Sequence, residues 1–195
     1  MNMEKTEYYF CKLMEEGLGL NLSDPNLIDT PARVAKMYCN EFFSCVGKEF
    51  DNFKSFPNTR GIKDIILLDK IHFVSMCAHH FLPFDGEAWI LYIPSDKLVG
   101  ASKMARVVNH YAKRPQLQEE LSHEVIERFD AEVHPEGAML FMRAVHGCMK
   151  CRGVNQYAGA GMITSAACGV FLSDPVLEQK GLEMIKISLM GGRIG

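Results

Sequence analysis

The spacing of apolar positions changes from helical to strand-like and back along this chain. Residues 4–18 place Tyr8, Cys11, Leu13, Met14 and Leu18 among charged positions, which predicts a helix ended near Gly17 or Gly19. A second helix is better marked. Thr30 is placed to cap it, Pro31 stands in the first turn where a missing N–H costs nothing, and Val34, Met37, Tyr38, Phe42 and Phe43 form its packed face. Gly47, Pro57, Asn58 and Gly61 mark residues 47–61 as a connection. From residue 64 the period shortens. Ile65-Ile66-Leu67-Leu68 and Ile71-His72-Phe73-Val74 read as strand, and 86–93 as another that stops at Pro94. Helices follow at about 101–113 and 116–130, parted where Pro115 restricts Arg114. Strands at about 138–150 and 161–171, a short helix after Ser173 and a final strand at 182–190 complete the pattern, with Gly159-Ala160-Gly161 marking a loop. This order predicts an α+β fold with an antiparallel sheet and packed helices. Residues 1–60 form an N-terminal helical segment and connection and 61–195 the sheet-bearing region, the two together making one domain.

Composition narrows the partners. The 195 residues are 48% apolar, enough for a full core, and 21 basic against 24 acidic side chains give a net charge of −3. Such a balance supplies no broad positive field for nucleic acid or anionic lipid, so any phosphate binding must be local. The opening Met1-Asn2-Met3-Glu4-Lys5-Thr6-Glu7 lacks the basic and apolar regions of a secretory leader, and no apolar run approaches the roughly 20 residues that span a bilayer. A cytoplasmic protein is expected. In that reducing compartment seven cysteines, an odd number, are better suited to packing, metal ligation or thiol chemistry than to a disulfide framework.

Three groups of residues can carry chemistry. Cys77, His79 and His80 lie between two strands, and His146, Cys148 and Cys151 lie far along the chain. Two thiolates and one imidazole suit zinc with a fourth position open, as in catalytic rather than structural sites. Spacing alone does not pick the three ligands. On a strand, His146, Cys148, Lys150 and Arg152 share one face and Cys151 takes the other, which favours Cys148 as the ligand. Packed cysteines, a structural zinc clip or a redox pair are the competing readings of the same residues. The second group is basic. Lys103, Arg106 and His110 recur at helical spacing, Arg33 and Lys36 form a similar pair on the earlier helix, and Arg152 falls on the expected metal-facing side. Each is an ordinary solvated face unless the fold gathers them around one pocket. The third is Gln118-Glu119-Glu120 at a helix start, able to meet an amidine-like purine edge or simply to favour the helix terminus.

In order along the chain, several segments resemble GTP cyclohydrolase I, a zinc enzyme family of the tunnelling fold. They are Asp29-Thr30-Pro31 with Arg33 to Tyr38, Ser75-Met76-Cys77 with His79-His80, Tyr92-Ile93-Pro94, and Gly100 with Ser102-Lys103 and Ala105-Arg106. Gln116 with Gln118-Glu119, and His146 with Cys148-Met149 and Arg152-Gly153, continue the match over roughly residues 29–173. The resemblance implies zinc held by Cys77, His80 and Cys148, with His79 and His146 moving protons. It also implies Glu119 and Gln118 on the guanine edge and Ser102 near the ribose. Lys103, Arg106 and Arg152 would take the triphosphate, with Arg33 and Lys36 as a further phosphate pair. The implied reaction is hydrolysis of GTP at C8, release of formate, and rearrangement to 7,8-dihydroneopterin triphosphate. The implied assembly is a toroidal homodecamer with active sites at subunit interfaces. Three positions depart from the family pattern: Ala78 replaces a glutamate, Trp89 a strand histidine and Glu120 an arginine. They motivate two alternatives, a related cyclohydrolase acting on a deoxy or modified purine nucleoside triphosphate, and a noncatalytic zinc-containing pterin-binding or regulatory protein.

Overall fold

The computed structural model describes residues 1–51, 53–156 and 160–191; the loop expected at 159–161 begins at Gly159, outside the described residues. Helix α1 (Met3–Lys12) starts where Asn2 accepts the Lys5 N–H at 2.9 Å, and runs on through a π-helical turn, Leu13–Gly17. Helix α2 (Thr30–Met37) is extended by a second π-helical turn, Tyr38–Phe42. Thr30 was expected to cap α2 but is its first helical residue. Asp29 stands at the cap and turns its carboxylate to Arg33 Nη2 at 2.9 Å rather than to the backbone.

Strands β1 (Ser55–Pro57), β2 (Ile66–Cys77), β3 (Pro83–Ile93) and β4 (Lys97–Val99) follow, then α3 (Ala101–Ala112), β5 (Pro115–Gln116) and α4 (Gln118–Val133). The two strand segments expected after residue 64 are one strand, β2. Its break is a bulge between Leu68 and Ile71, where Lys70 takes a φ of 50°. The chain continues through β6 (Gly137–His146), the helical turn α5 (Gly147–Lys150), β7 (Met162–Gly169), α6 (Val170–Ser173) and α7 (Pro175–Met190). Five strands form the main sheet in the order β5-β2-β3-β6-β7, antiparallel except where β5 runs beside the end of β2. The α+β class expected from the sequence is the one observed.

Period two along β3 sorts the core into two layers. Ala88, Ile90 and Tyr92 face α3 and α4, packing with Phe73, Val108, Leu121, Phe129 and Leu140. Trp89, Leu91 and Ile93 face the other way, against Met139, Phe171 and Ile185. Each fully buried side chain of this size contributes about 1.5–3 kcal/mol from apolar burial.

The second layer corrects the sequence reading at the C-terminus. Residues 182–190 are not a strand but the end of α7. Ile185-Lys186-Ile187-Ser188-Leu189 alternates for five residues and so imitates a strand. What decides the outcome is upstream: Asp174 accepts the N–H groups of Val176 and Leu177, Pro175 opens the first turn, and Leu177, Gly181, Leu182 and Ile185 then reach the sheet at helical spacing.

Candidate active site

At its last residue β2 delivers Cys77 into a tight turn. The Phe81 N–H donates to the Cys77 carbonyl and the Cys77 N–H to the Leu82 carbonyl, both at 2.9 Å, while Phe81 adopts a φ of 51°. The turn swings His80 back so that its Nδ1 lies 3.9 Å from Cys77 Sγ. Cys148 arrives from just past the end of β6, two strands away in the sheet. Here the strand expected over 138–150 is corrected, because β6 ends at His146 and Cys148 sits in the helical turn α5. Gly147 makes the bend, packed so closely on the Pro83 carbonyl that a Cβ would lie 2.7 Å from its oxygen. The alternation argument for Cys148 therefore rested on a strand that is absent. The turn itself keeps Cys148 half-buried and leaves Cys151 exposed.

Donor atoms of Cys77, His80 and Cys148 all lie within 4.8 Å of one another. Around a tetrahedral zinc, bonds of about 2.3 Å to sulfur and 2.0–2.1 Å to nitrogen put such donors roughly 3.5–3.8 Å apart. The group fits that ion with a small inward adjustment, and its soft thiols select zinc over hard cations. Among the described residues no fourth His, Cys, Asp or Glu joins it. Burial and the adjoining Cys77 thiol push the Cys148 thiol above the usual range, with Arg152 pulling the other way.

His146 closes β6 beside this group, buried and stacked on Phe84 with ring centroids 4.5 Å apart and planes 3° from parallel. Burial holds the imidazole below its ordinary pKa, partly offset by Glu119. His146 Nε2 lies 2.8 Å from Gln118 Oε1. Gln118, expected at the guanine edge, is fully buried, and its Nε2 donates to the Met142 carbonyl, the Met162 carbonyl and Thr164 Oγ1 at 3.4, 3.3 and 3.1 Å. Its amide bonds are made inside the chain. Glu119, one residue on, is exposed. Glu120 Oε2 accepts the Leu117 N–H at 3.4 Å at the start of α4.

A model of the family described as GTP cyclohydrolase I matches residues 7–186. The chain belongs to the GTP cyclohydrolase I family. The "GTP cyclohydrolase 1" of Histophilus somni (strain 2336) is 36% identical over 172 residues, covering 87% of this chain and 78% of that protein. That of Streptococcus suis (strain 05ZYH33) is 38% identical over 187 residues, covering 94% of this chain and 95% of its own. A solved structure, the archaeosine synthase QueF-Like in the apo form, overlaps 54% of this chain and 93% of its own at 21% identity and a TM-score of 0.44, a likeness too loose to bear on chemistry.

The residues singled out for this GTP cyclohydrolase I family member fall into separate places. Cys77, His80 and Cys148 form one cluster, with His79 next to His80 at 6.2 Å between rings and Arg152 close enough to influence the Cys148 thiol. Ser102, Lys103 and Arg106 stand on the opening turns of α3, whose far end leads through Lys113 and Arg114 to β5 and so to Cys77. At 1.5 Å per residue, Lys103 to Ala112 spans about 14 Å of helix axis. Arg33 and Lys36 are exposed on α2, and the rings that follow that helix, Tyr38 and Phe43, meet Phe81 of the Cys77 turn. Phe84, Ser122 and Thr164 were not singled out. They carry no metal-ligand chemistry of their own: the pairing of β3, β6 and β7 brings Phe84 and Thr164 to His146 and Gln118, and Ser122 lies one turn after Gln118 on α4.

Proposed function

We propose that the chain is a zinc-dependent hydrolase that opens the imidazole ring of GTP, releases formate and yields 7,8-dihydroneopterin triphosphate. The observation that carries this reading is the convergence of Cys77, His80 and Cys148 with no fourth protein donor among the described residues. Closed structural sites fill all four positions, so an open set favours catalysis over a noncatalytic zinc protein. When bound, zinc supplies Lewis acidity at that open position. His146, held neutral by burial, is ready to take a proton, and exposed His79 relays it. Exposed Glu119 meets the donor edge of guanine, Ser102 lies by the ribose, and Lys103, Arg106 and Arg152 hold the triphosphate with support from Arg33 and Lys36.

We read these roles as shared between copies of the chain. The metal cluster and the cations of α3 are separated along the helix, and a single GTP has to reach both. Two sheet edges support the same reading: β5 covers only Met76 and Cys77 of β2, and β7 forms the opposite rim. Head-to-tail pairing of such edges closes into a ring, in keeping with a toroidal decamer whose sites lie between subunits. No helix among the described residues is long and apolar enough to cross a membrane, which accords with a cytoplasmic location.

The departures that favoured a deoxy or modified purine lose weight. Trp89 lies in the layer facing α7, where its Nε1 donates to Ser188 Oγ at 2.9 Å, and Glu120 accepts the Leu117 N–H at the start of α4. Ala78 is exposed, and nothing in the structure explains its side chain. The deciding experiment incubates the zinc-loaded oligomer with GTP and measures formate together with the oxidised fluorescent pterin. Both are expected. Absence of both overturns the proposal, and faster turnover of a deoxy or modified purine triphosphate redirects it.

A further inference from the structure

Gln118 belongs to a closed ring of hydrogen bonds whose acceptors constrain the protons in it. Ser122 Oγ faces two acceptors, the Gln118 backbone carbonyl at 3.0 Å and Met142 Sδ at 3.4 Å, and with its proton directed to them the 2.7 Å contact between the two hydroxyls is read as running from Thr164 to Ser122. With its own proton so committed, Thr164 Oγ1 accepts from Gln118 Nε2. The two backbone carbonyls of Met142 and Met162, which only accept, face the same nitrogen. A flipped amide would set its oxygen against three acceptors. Gln118 Oε1 is thereby turned to His146 Nε2, and an amide oxygen accepts only, so the imidazole nitrogen must donate. Ring stacking on Phe84 holds the imidazole plane in that alignment.

We propose that Thr164 is a positioning residue which, through the Gln118 amide, keeps Nε2 as the hydrogen-bond donor of His146 and leaves Nδ1 as the ring nitrogen outside that bond. This rests on the proposed cyclohydrolase reading for the reaction itself, and on geometry alone for the tautomer. The second ring nitrogen sets which atom of a histidine works, and a hydrogen-bond partner sets the second nitrogen. Thr164 touches neither substrate nor metal group. Thr164→Val keeps the shape but removes the shortest of the three acceptors of Gln118 Nε2, leaving the amide held only by the longer contacts to the Met142 and Met162 carbonyls and so loosening its orientation; Thr164→Ser restores the hydroxyl.

The test uses the zinc-loaded full chain with 15N-labelled histidine, the His146 signal being assigned by its loss in His146→Asn. Wild type and Thr164→Ser are expected to show the Nε2–H tautomer, and Thr164→Val a mixture. With GTP, Thr164→Val should lower kcat by about tenfold, the scale of one misplaced buried hydrogen bond, and leave KM and zinc content unchanged to within about twofold. Thr164→Ser should recover most of the rate. If Thr164→Val does not fold, Ser122→Ala removes the acceptor that orients Thr164 and should shift the same signal. An Nδ1–H tautomer in wild type, an unaltered signal and kcat in Thr164→Val, or an equal loss in Thr164→Val and Thr164→Ser would overturn the proposal. A wild type that forms no formate would instead defeat the cyclohydrolase reading, while the tautomer measurement still stands.

Discussion

Replacing Cys148 and Cys151 separately by alanine tests the metal cluster on two thiols that a motif scan treats as equals. Cys148 is half-buried within 4.8 Å of Cys77 and His80 donors, whereas Cys151 is exposed and outside that group. Truncating an exposed residue with no packing partner changes stability by about 0.5 kcal/mol or less. Zinc that binds only the folded protein stabilises it by about 2.7 kcal/mol when free zinc is buffered at 100 times the Kd. For a chain of 195 residues that corresponds to a rise in Tm of about 5–11 °C. The wild type and Cys151→Ala should both show this rise, measured by calorimetry at one protein concentration with and without buffered zinc. Cys148→Ala leaves two donors, Cys77 and His80, and should show a rise near zero, with metal analysis giving less than one zinc per chain. A full shift in Cys148→Ala, or its selective loss in Cys151→Ala, would refute the assignment of the cluster.

Arg106→Ala and Arg152→Ala should each lower kcat/KM for GTP by about tenfold or more, since each removes a charge-assisted phosphate contact, while zinc content stays that of wild type. Unchanged kinetics in both assembled variants would remove them from the triphosphate site. On the opposite face of the sheet, Trp89→Phe should cost roughly 1–2 kcal/mol in urea unfolding followed by circular dichroism, because it removes the bond to Ser188 and trims a fully buried ring. A double-mutant cycle with Ser188→Ala should give a coupling of about 1 kcal/mol, and a coupling near zero would mean that this contact does not anchor α7.

Much of the site was legible because it is local in sequence. Cys77 and His80 are three residues apart in one turn, and Glu119 opens a helix whose start Pro115 already marks. Cys148 does stand with Cys77 and His80, but the strand premise behind its choice fails: a bend that depends on Gly147 meeting Pro83 cannot be read from a run of residues that otherwise continues a strand. The burial of Gln118 escaped the sequence for a related reason. A glutamine at a helix start reads as exposed, and only the return of β7, some 46 residues later, buries it under Thr164. The C-terminal helix was lost to five alternating residues, since periodicity over so short a window does not distinguish a strand from a helix whose face is set by the sheet beneath it.

The length of α3 between its cations and the metal cluster has a genetic consequence. If each site draws its two halves from neighbouring chains, a chain carrying Cys148→Ala still offers a sound Arg106, and a chain carrying Arg106→Ala still offers a sound Cys148. Two alleles, each silent alone, would then complement one another. Random assembly of equal amounts gives about a quarter of the sites both intact halves, whereas a site built within one chain would gain none from mixing. Complementation in a mixed population would thus report the boundary between subunits without any image of the assembly.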